Sequence, residues 1–555
     1  MPARQPLHRL AASFASLALL AATVPLVCTA AMGADNRPFA LSLRSRTETK
    51  TGSGRFHTTT KSSEWNPKET AVIVCDMWDL HHCLNATRRG GELAPHMDAV
   101  LKAARDRGAT IIHAPSSCMD SYKDHAARKR AQAVPKAGKF PEEIAKWCYK
   151  IPEEEKGKYP IDQSDGGEDD DLEEHRQWAE KLSAMGRNPR APWKSQTALL
   201  TIRDEDYISD NGEEVWSILE HHGLKNIILM GVHTNMCVLG RPFGLRQMAK
   251  NGKNVVLMRD MTDTMYNPAR APFVSHFTGT DLIVEHIEKW VCPTVTSDQI
   301  VGGKPFRFAH DTRPRLAILS AEDEYKTEET LPPFAAKYLG KDFSVQFIFG
   351  SETERSDIPG IDAINNADVL LVSVRRRPLP KAQLDVVRRF AAMGKGIVGI
   401  RTASHAFAPS IGKPTPEGLD AWMTFDGDVF GGSYSGHHGE GPKAAITAAE
   451  QTASSPIMAG VDASKLVGNG SLYKVNPISK SAGALLIGTI PDTPAEPIAW
   501  TYTRADTGRS FYTSLGHKDD FENPEFCRLL RNALIWAAGS DLQKPSPAPA
   551  ATAAK

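Results

Sequence analysis

Short apolar segments alternate with helix-like segments along almost the whole chain, and this alternation limits the folds open to it. The segments AVIVC, TIIHA, NIILMGV and NVVLM in the first half are short and rich in β-branched residues, which is typical of buried strands. Between them, MDAVLKAARD, VWSILEHHG and GLRQMAKNG carry apolar residues at helical spacing. Strands that alternate with helices form a parallel sheet covered on both faces. We therefore predict an α/β fold.

The chain has 555 residues, which is too long for one hydrophobic core, and the pattern restarts near residue 315 with RLAILS, ADVLLVSV and GKGIVGI. The sequence thus predicts two three-layer domains, each with a mainly parallel sheet flanked by helices. We place the first domain at residues 68–300, a linker containing Pro and Gly at 301–312, and the second domain at 313–540. Residues 119–198 interrupt the rhythm and are interpreted as an insertion that acts as a lid, a dimer arm or a surface excursion.

The two ends of the chain have distinctive compositions. Residues 1–34 combine a basic start, an apolar run from Leu10 to Val27 and small residues, the pattern of a secretory signal peptide. We therefore predict export, with lipidation at Cys28 or an uncleaved anchor as alternatives, and no membrane span after cleavage. Residues 35–67 are polar and predicted to be an extended leader, and the Pro/Ala-rich residues 541–555 a disordered tail.

Charge and cysteine content narrow the class of partner. Lys+Arg and Asp+Glu balance at 66 each, so no global field attracts nucleic acid or an anionic membrane. The seven cysteines that follow the signal peptide are sparse and odd in number, unlike those of a disulfide-dense scaffold. A small-molecule substrate is the favoured partner.

Cys237 stands where an apolar strand gives way to a helix-like segment, in GVHTNMC. The first N–H groups of a helix stabilise a thiolate, lower its pKa and can hold an oxyanion. Asp76 ends an earlier strand, and groups at the carboxyl ends of parallel strands gather at one edge of the sheet. The residues therefore allow either a nucleophile with Asp76 as its base or an inert buried thiol.

The pair of segments AVIVCDMWDL and NIILMGVHTNMCV resembles the isochorismatase-like cysteine hydrolases, a family that includes nicotinamidases. The resemblance covers roughly residues 68–300 and implies catalytic roles for Asp76 and Cys237. It also implies an oxyanion hole from the main-chain N–H groups of His233 and Cys237, beside a cis peptide, with Thr234 in the substrate region. The family's catalytic Lys has no counterpart, and Arg203 is the nearest cation, with Lys194 more distant.

Metal binding is the one cofactor function that the first half suggests. Metal-binding members of the same family use an Asp-x-His motif, which Asp79 and His81 match, so the resemblance implies a divalent metal there as an alternative to polar residues at a pocket edge. Residues 162–173 have Asp first, Gly sixth and Glu twelfth, but the other positions do not fit a calcium loop. A solvated acidic loop is the favoured interpretation.

The second half resembles the trehalose-utilisation (ThuA-like) family, a branch of the class I glutamine amidotransferase-like fold, over residues 313–538. The segments that carry the resemblance are AEDEY, GKGIVGIRTASHAF, FDGDVFGGSYSGHH, EPIAWTY and GRSFYTSLGHKDDFENPEF. Where glutamine-hydrolysing relatives have a Cys on a sharp turn, this chain has Arg401 to His405 and no thiol. Candidate residues for a polyol or metal site lie at strand ends and in Gly-rich loops: Glu324, Tyr325, His405, His437, His438 and His517. Trp500 is a candidate for stacking on a sugar or for core packing.

Three functions remain open from the sequence. The leading hypothesis is an exported cysteine hydrolase that acts on a small amide or related C–N bond, with Cys237 as nucleophile, Asp76 as base and Arg203 as cation, fused to a domain that binds or processes a carbohydrate-related ligand. The alternatives are a binding protein without turnover and a sugar-processing enzyme whose only active site lies in the second domain. The family resemblance also implies a homo-oligomer.

Overall fold

The computed structural model describes residues 37–439, 441–450 and 452–539. The predicted signal peptide and the predicted tail from residue 541 lie outside these residues. Among the described residues, all seven cysteines are free thiols. No helix in the described part of the chain has the length and apolar character needed to cross a bilayer.

The first half forms an eight-stranded sheet. In chain order its strands are β1 (Phe39–Glu48), β2 (Phe56–Trp65), β3 (Thr70–Cys75), β4 (Thr110–Ala114), β5 (Tyr207–Ile208), β6 (Asn226–Val232), β7 (Asn254–Asp263) and β8 (Thr294–Val295). Their spatial order is β2-β1-β8-β7-β6-β3-β4-β5. The strands from β8 to β5 are parallel, and β1 and β2 add an antiparallel hairpin at one edge. Every residue of the central strands β3 and β6 is buried, because helices cover both faces.

Seven α-helices of the described residues accompany this sheet. They are α1 (Leu84–Asp106), α2 (Ala126–Ala133), α3 (Leu172–Ala184), α4 (Gly212–His221), α5 (Leu245–Lys250), α6 (His276–Trp290) and α7 (Asp298–Val301). Polar residues define several starts: Asn211 caps α4 and Ser275 caps α6 through side-chain hydrogen bonds to the first turn. The helix predicted over MDAVLKAARD is confirmed, but it begins at Leu84, earlier than the periodic segment.

The sequence suggested that residues 35–67 form an extended leader before the first domain. Residues 39–65 instead belong to that domain. They form the β1–β2 hairpin, paired over ten residues of each strand and joined to the sheet through Arg44 and Thr294. The hairpin also reaches the second domain, where Gln346 donates a hydrogen bond of 2.9 Å to the Thr58 hydroxyl. Both strands lie at the edge of the sheet and contain few apolar residues, so the sequence does not show the apolar pattern by which buried strands are predicted.

The insertion at residues 119–198 packs against the first domain and contains α2 and α3. Its Asp170 accepts hydrogen bonds of 2.7 Å from the backbone N–H groups of both Leu84 and Asn85, the first two residues of α1. These N–H groups have no partner within the helix, and a carboxylate there is also favoured by the helix dipole. Trp178 of α3 donates a hydrogen bond of 2.9 Å to the carbonyl of His81. The acidic segment is therefore a structural part of the domain, and its Asp170 carboxylate is engaged at the start of α1.

The second half forms a nine-stranded sheet with the spatial order β10-β9-β11-β12-β19-β18-β17-β14-β15. Its strands are β9 (Arg315–Ala321), β10 (Ser344–Phe349), β11 (Val369–Val374), β12 (Gly396–Ile400), β14 (Ala444–Ala448), β15 (Val467–Gly468), β17 (Ala482–Thr489), β18 (Glu496–Thr503) and β19 (Arg509–Thr513); β13 (Gly436–His437) pairs separately with β16 (Tyr473–Lys474). The helices are α8 (Thr327–Tyr338), α9 (Lys381–Ala392) and α10 (Pro524–Ala537). The β10-to-β19 half of the sheet is parallel and the rest is antiparallel. The predicted fold class, two α/β domains with helices on their sheets, is confirmed.

Candidate functional sites

Asp76 follows β3 directly and is completely buried at the carboxyl edge of the first sheet. Its backbone is in the left-handed region, with φ of 47°, an uncommon conformation for a residue other than glycine. One carboxylate oxygen accepts a hydrogen bond of 2.7 Å from the Ser116 backbone N–H, and the other lies 3.0 Å from Nε of Arg241. The carboxylate is thus fixed from two sides in a site closed to solvent.

Cys237 follows β6, the strand next to β3, and lies in a π-helical turn over Thr234–Val238. Its thiol is within hydrogen-bonding reach of Asp76 and of Arg241. Thr234 anchors the turn to β7, because its hydroxyl is bonded to the Thr262 hydroxyl at 2.7 Å and donates to the Asp263 carbonyl at 2.9 Å. The structure therefore brings Cys237 and Asp76 together and gives Thr234 a contact that holds the turn.

The cation at this site is Arg241, which sequence reasoning missed. Arg241 follows Cys237 by one helical turn, so both side chains reach the same carboxylate. Arg203, the residue selected from the sequence, is paired instead with Glu205 at 3.5 Å, and its backbone N–H binds Asp206. The signal that could have revealed Arg241 is its spacing in CVLGR: an arginine four residues after the thiol.

Burial determines the protonation states of this group. It raises the pKa of the Cys237 thiol well above its ordinary value; the Asp76 carboxylate raises it further and Arg241 opposes the shift. Burial also raises the pKa of Asp76, against the lowering effect of Arg241 and of hydrogen bonds from Cys237 and Ser116. Burial thus favours the neutral thiol over the thiolate that a helix N-terminus alone would stabilise. The arrangement holds a neutral thiol beside a base.

Buried histidines lie behind the turn. The Val232–His233 peptide is cis, at the place implied by the family resemblance. The His233 ring packs edge to face on His81, with 4.8 Å between ring centres. Burial lowers the pKa of His233 to about 4, so the ring is neutral near pH 7. Burial, with His233 and His82 nearby, also lowers the pKa of His81 well below its ordinary value.

Asp79 and His81 are not brought into a metal-ligating set. Asp79 pairs with Arg187 at 2.9 Å and accepts the backbone N–H of Lys194, while His81 Nδ1 accepts the N–H of Cys83. Among the described residues, the one group of three ligand atoms close enough to share a metal is Cys83, Asp169 and Asp170. Both carboxylates there already have other partners: Asp170 accepts from the start of α1, and Asp169 pairs with an arginine that is mostly buried.

That arginine, Arg89, belongs to a buried ion network next to the turn. It contacts Asp263 and Asp169, each at 2.7 Å, and His276 contacts the same two carboxylates at 2.9 and 3.1 Å. Burial opposes the charge on His276, yet the carboxylates, led by Asp263, raise its pKa to about 9. Arg89 and His276 lower the pKa of Asp263 far below its ordinary range despite its burial. The network consists of two cations and two anions and fixes the end of β7.

In the second domain the turn after β12 carries Arg401, at the position where the sequence resemblance implies the Cys of glutamine-hydrolysing proteins. Arg401 is buried and has φ of 41°. Its guanidinium lies between the rings of Tyr325 and Tyr473, 4.2 and 4.6 Å from their centres, and donates to the Ser514 carbonyl and the Tyr325 hydroxyl. Its Nε has no hydrogen-bond partner among the residues that the structure describes. The turn therefore presents a cation instead of a nucleophile.

Several predicted residues surround this arginine. The rings of Tyr325 and His517 lie 5.7 Å apart, and the Tyr325 hydroxyl donates to Glu324 at 3.0 Å. His405, in the same turn as Arg401, stacks on Tyr434 with ring centres 4.6 Å apart. Burial, with three arginines nearby, lowers the pKa of His405 to about 3, so it is a neutral hydrogen-bonding group. Glu324, Tyr325, His405 and His517 thus lie at one edge of the sheet.

Other candidates have structural or peripheral positions. His438 pairs with Glu496 at 3.1 Å, while His437 is exposed and contacts the His438 carbonyl. Trp500 is completely buried and donates a 2.7 Å hydrogen bond to the Phe430 carbonyl, so it is a core residue and not a stacking surface.

The fold and these sites define a two-domain α/β protein with a buried thiol–carboxylate–arginine group in one domain and an arginine-centred polar site in the other. Residues 315–537 match the family model ThuA, described as trehalose utilisation. The predicted ThuA-like domain is confirmed by this match. No curated protein matches the sequence.

Solved structures that resemble the chain include members of both predicted families, each covering 42% of it. They are a ThuA-like protein from Bacteroides uniformis (19% identity, 95% of its chain, TM-score 0.32), a cysteine hydrolase from Pseudomonas syringae pv. phaseolicola (17%, 92%, 0.26) and an isochorismatase family protein from Burkholderia thailandensis (14%, 95%, 0.24).

Proposed function

We propose that the first domain is a cysteine hydrolase that cleaves a small amide or related C–N bond. The observation that carries the proposal is the contact of Asp76 with both the Cys237 thiol and Arg241 at the carboxyl edge of a parallel sheet. A thiol beside a buried carboxylate of raised pKa has a base close enough to take its proton.

The reaction follows from these contacts. Cys237 sulfur attacks the carbonyl carbon as its proton passes to Asp76, and the oxyanion is held by the backbone N–H groups of His233 and Cys237. Asp76 returns the proton to the nitrogen as the C–N bond breaks, which releases an amine and leaves a thioester. Water, deprotonated by Asp76, then attacks the thioester. The acid leaves and the proton returns to sulfur, so that one amide and one water give one acid and one amine.

Arg241 has a positioning role in this scheme. Its guanidinium holds one oxygen of Asp76 and opposes the rise in pKa of both Asp76 and Cys237. An arginine can fill the place of the family's lysine only as a fixed charge, because its planar head does not lose its proton. Arg241 therefore orients the base and balances the charge of the site.

The test of this proposal is a screen of small amides with the full mature chain, reading released amine and the mass of trapped thioester. The variants Cys237→Ser and Asp76→Asn should lose turnover by at least a hundredfold. Cys292→Ser alters another buried thiol of the same domain and serves as the matched control. Turnover that survives in Cys237→Ser would exclude the thiol mechanism, and a folded protein that cleaves no amide would favour the binding protein without turnover.

We propose that the second domain binds a carbohydrate-related compound at the site around Arg401. The family match over residues 315–537 supports this ligand class, and the neutral His405 ring is a hydrogen-bonding group suited to a polyol. His517→Ala should weaken the binding of a soluble sugar such as trehalose at least fivefold by calorimetry. Unchanged affinity in this variant would place the ligand elsewhere.

We further propose that the protein is exported through residues 1–34. Sequencing the amino terminus of protein recovered from outside the cytoplasm should give a start near residue 35. Recovery of the chain in the cytoplasm with residues 1–34 intact would contradict this proposal.

A further inference from the structure

A cavity of about 420 Å³ lies beside the Cys237 turn without including Cys237. Its lining contains Asn235 and Met236, the two residues before the thiol, together with a wall supplied by the insertion. We propose that this cavity is a separate binding site for a neutral sugar ring, outside the hydrolase centre. Cavities of this size accommodate small ligands.

Aromatic side chains of the insertion form much of the wall. Trp147 and Tyr159 are half-buried and Tyr149 is 80% exposed, and all three line the cavity. The flat faces of such rings pack well against the C–H faces of a sugar ring. An exposed tyrosine beside a cavity is in a position to cover a bound ring.

The charges of the lining are largely neutralised by partners in the protein. Glu154, almost completely buried, contacts Arg246 at 2.7 Å and His286 at 2.8 Å. Lys150, at the edge, pairs with Glu155 at 2.7 Å. A charged ligand would have to compete with these ion pairs, so the cavity favours an uncharged ligand.

Two side chains of the lining, Gln163 and Arg246, have hydrogen-bond donors that a sugar could use. Gln163 lines the cavity, and its buried Nε2 has no hydrogen-bond partner in the described part of the chain, so a donor is left for an oxygen of the ligand. Arg246 uses Nε and Nη2 on Glu154 but has only a long contact of 3.4 Å from Nη1. A neutral ring that carries several oxygen atoms satisfies these donors and packs on the aromatic wall, and this combination describes a sugar.

Two contacts join the cavity to the thiol site. The Trp147 ring lies 5.1 Å from the guanidinium of Arg241, and the Tyr159 hydroxyl donates to the Asn235 carbonyl at 3.3 Å. A ligand against these rings therefore contacts the side chains that support the Asp76–Arg241 pair and the Cys237 turn. Occupancy of the cavity is expected to order both.

The test is hydrogen exchange of the full mature chain carrying Cys237→Ser, so that binding is read without any turnover. Maltose is the probe, with mannitol as an acyclic polyol control and benzamide as a ring without hydroxyl groups. We expect at least twofold slower exchange, with maltose only, in peptides that cover residues 147–163 and 235–246. This readout also separates the cavity from any sugar bound in the second domain.

Variants of two lining residues test whether the protection depends on the cavity. Tyr149→Ala and Gln163→Ala should abolish the maltose-dependent protection, whereas Phe273→Ala, which removes another exposed aromatic side chain outside the lining, should retain it. Protection confined to the second domain, protection with benzamide but not maltose, or protection unchanged in both lining variants would each overturn the proposal. Failure of amide turnover in the unsubstituted protein bears on the hydrolase proposal alone.

Discussion

Nε of Arg241 lies 3.0 Å from Oδ2 of Asp76, although 165 positions of sequence separate the two residues. Asp76 is completely buried, and Arg241 is the charged partner that offsets its desolvation. The pair links the end of β3 to the turn that carries Cys237, so one ion pair both stabilises the fold at this point and aligns the thiol with its base.

The first prediction concerns Arg241 itself. Arg241→Met should reduce amide turnover at least a hundredfold and the free energy of unfolding by about 3–5 kcal/mol, because it leaves a buried carboxylate unpaired. Denaturant unfolding and steady-state kinetics measure the two effects. Arg203→Met is the matched control, with an expected change within about 0.5 kcal/mol. Equal effects of the two substitutions would reject the role of Arg241, and Arg241→Lys should recover part of the activity.

The second prediction separates thiol reactivity from catalysis. Because burial and Asp76 raise the pKa of Cys237, iodoacetamide should label this thiol slowly at pH 7 and faster as the pH increases. Asp76→Asn removes the anion and leaves Arg241, so the thiol pKa should fall and labelling at pH 7 should accelerate roughly tenfold, the effect of about one pKa unit. Turnover should nevertheless be lost. Peptide mass spectrometry measures the rates, with Cys292 as an internal reference; slower labelling in Asp76→Asn would contradict the prediction.

The third prediction is a pH dependence of stability from His276. Its pKa in the folded protein is about 9, above the ordinary value near 6.5 in the unfolded chain. The stabilisation is therefore complete below about pH 6.5 and is lost as the pH rises towards 9, by up to about 3 kcal/mol.

His276→Gln should lower the free energy of unfolding at pH 6 and flatten its decline between pH 6.5 and 9. Urea unfolding across this range measures both quantities. The Asp263 and Asp169 carboxylates remain beside Arg89 in the variant, so the slope is the more specific readout. An identical slope in the two proteins would show that His276 does not titrate as the ion network requires.

The fourth prediction distinguishes core packing from ligand stacking at Trp500. Trp500→Phe leaves the Phe430 carbonyl without its donor and should cost about 1–3 kcal/mol of unfolding free energy, with sugar affinity unchanged. Trp422→Phe is the control, because the indole N–H of Trp422 bonds Asp428 in an exposed setting, and it should cost less. A loss of sugar binding in Trp500→Phe without a loss of stability would reverse the assignment.

Much of the fold and the central pair of the site could be predicted from the sequence. Buried parallel strands are short and β-branched, and their carboxyl ends meet at one edge, so Asp76 and Cys237 could be placed together from their positions after β3 and β6. The β1–β2 hairpin could not be predicted, because edge strands such as Phe56–Trp65 have one polar face and their sequences resemble those of irregular segments.

The remaining site residues depend on tertiary contacts that have no periodic signal. Arg241 reaches Asp76 only because the turn at Cys237 directs its side chain there. Glu154 and Trp147 come from an insertion whose path cannot be read from its composition. The protonation state of Cys237 depends on tertiary packing in the same way: the effect of a helix terminus is local, whereas desolvation depends on everything packed around the thiol.

The hydrogen bonds from Leu84 and Asn85 to Asp170 have a consequence for biosynthesis. The first turn of α1 leaves the ribosome more than eighty residues before the carboxylate that completes it. Until that segment has been translated, two backbone N–H groups at the head of the domain's longest helix depend on water for their hydrogen bonds. The insertion therefore cannot be removed from the gene as a dispensable loop, and completion of the first domain must wait for it.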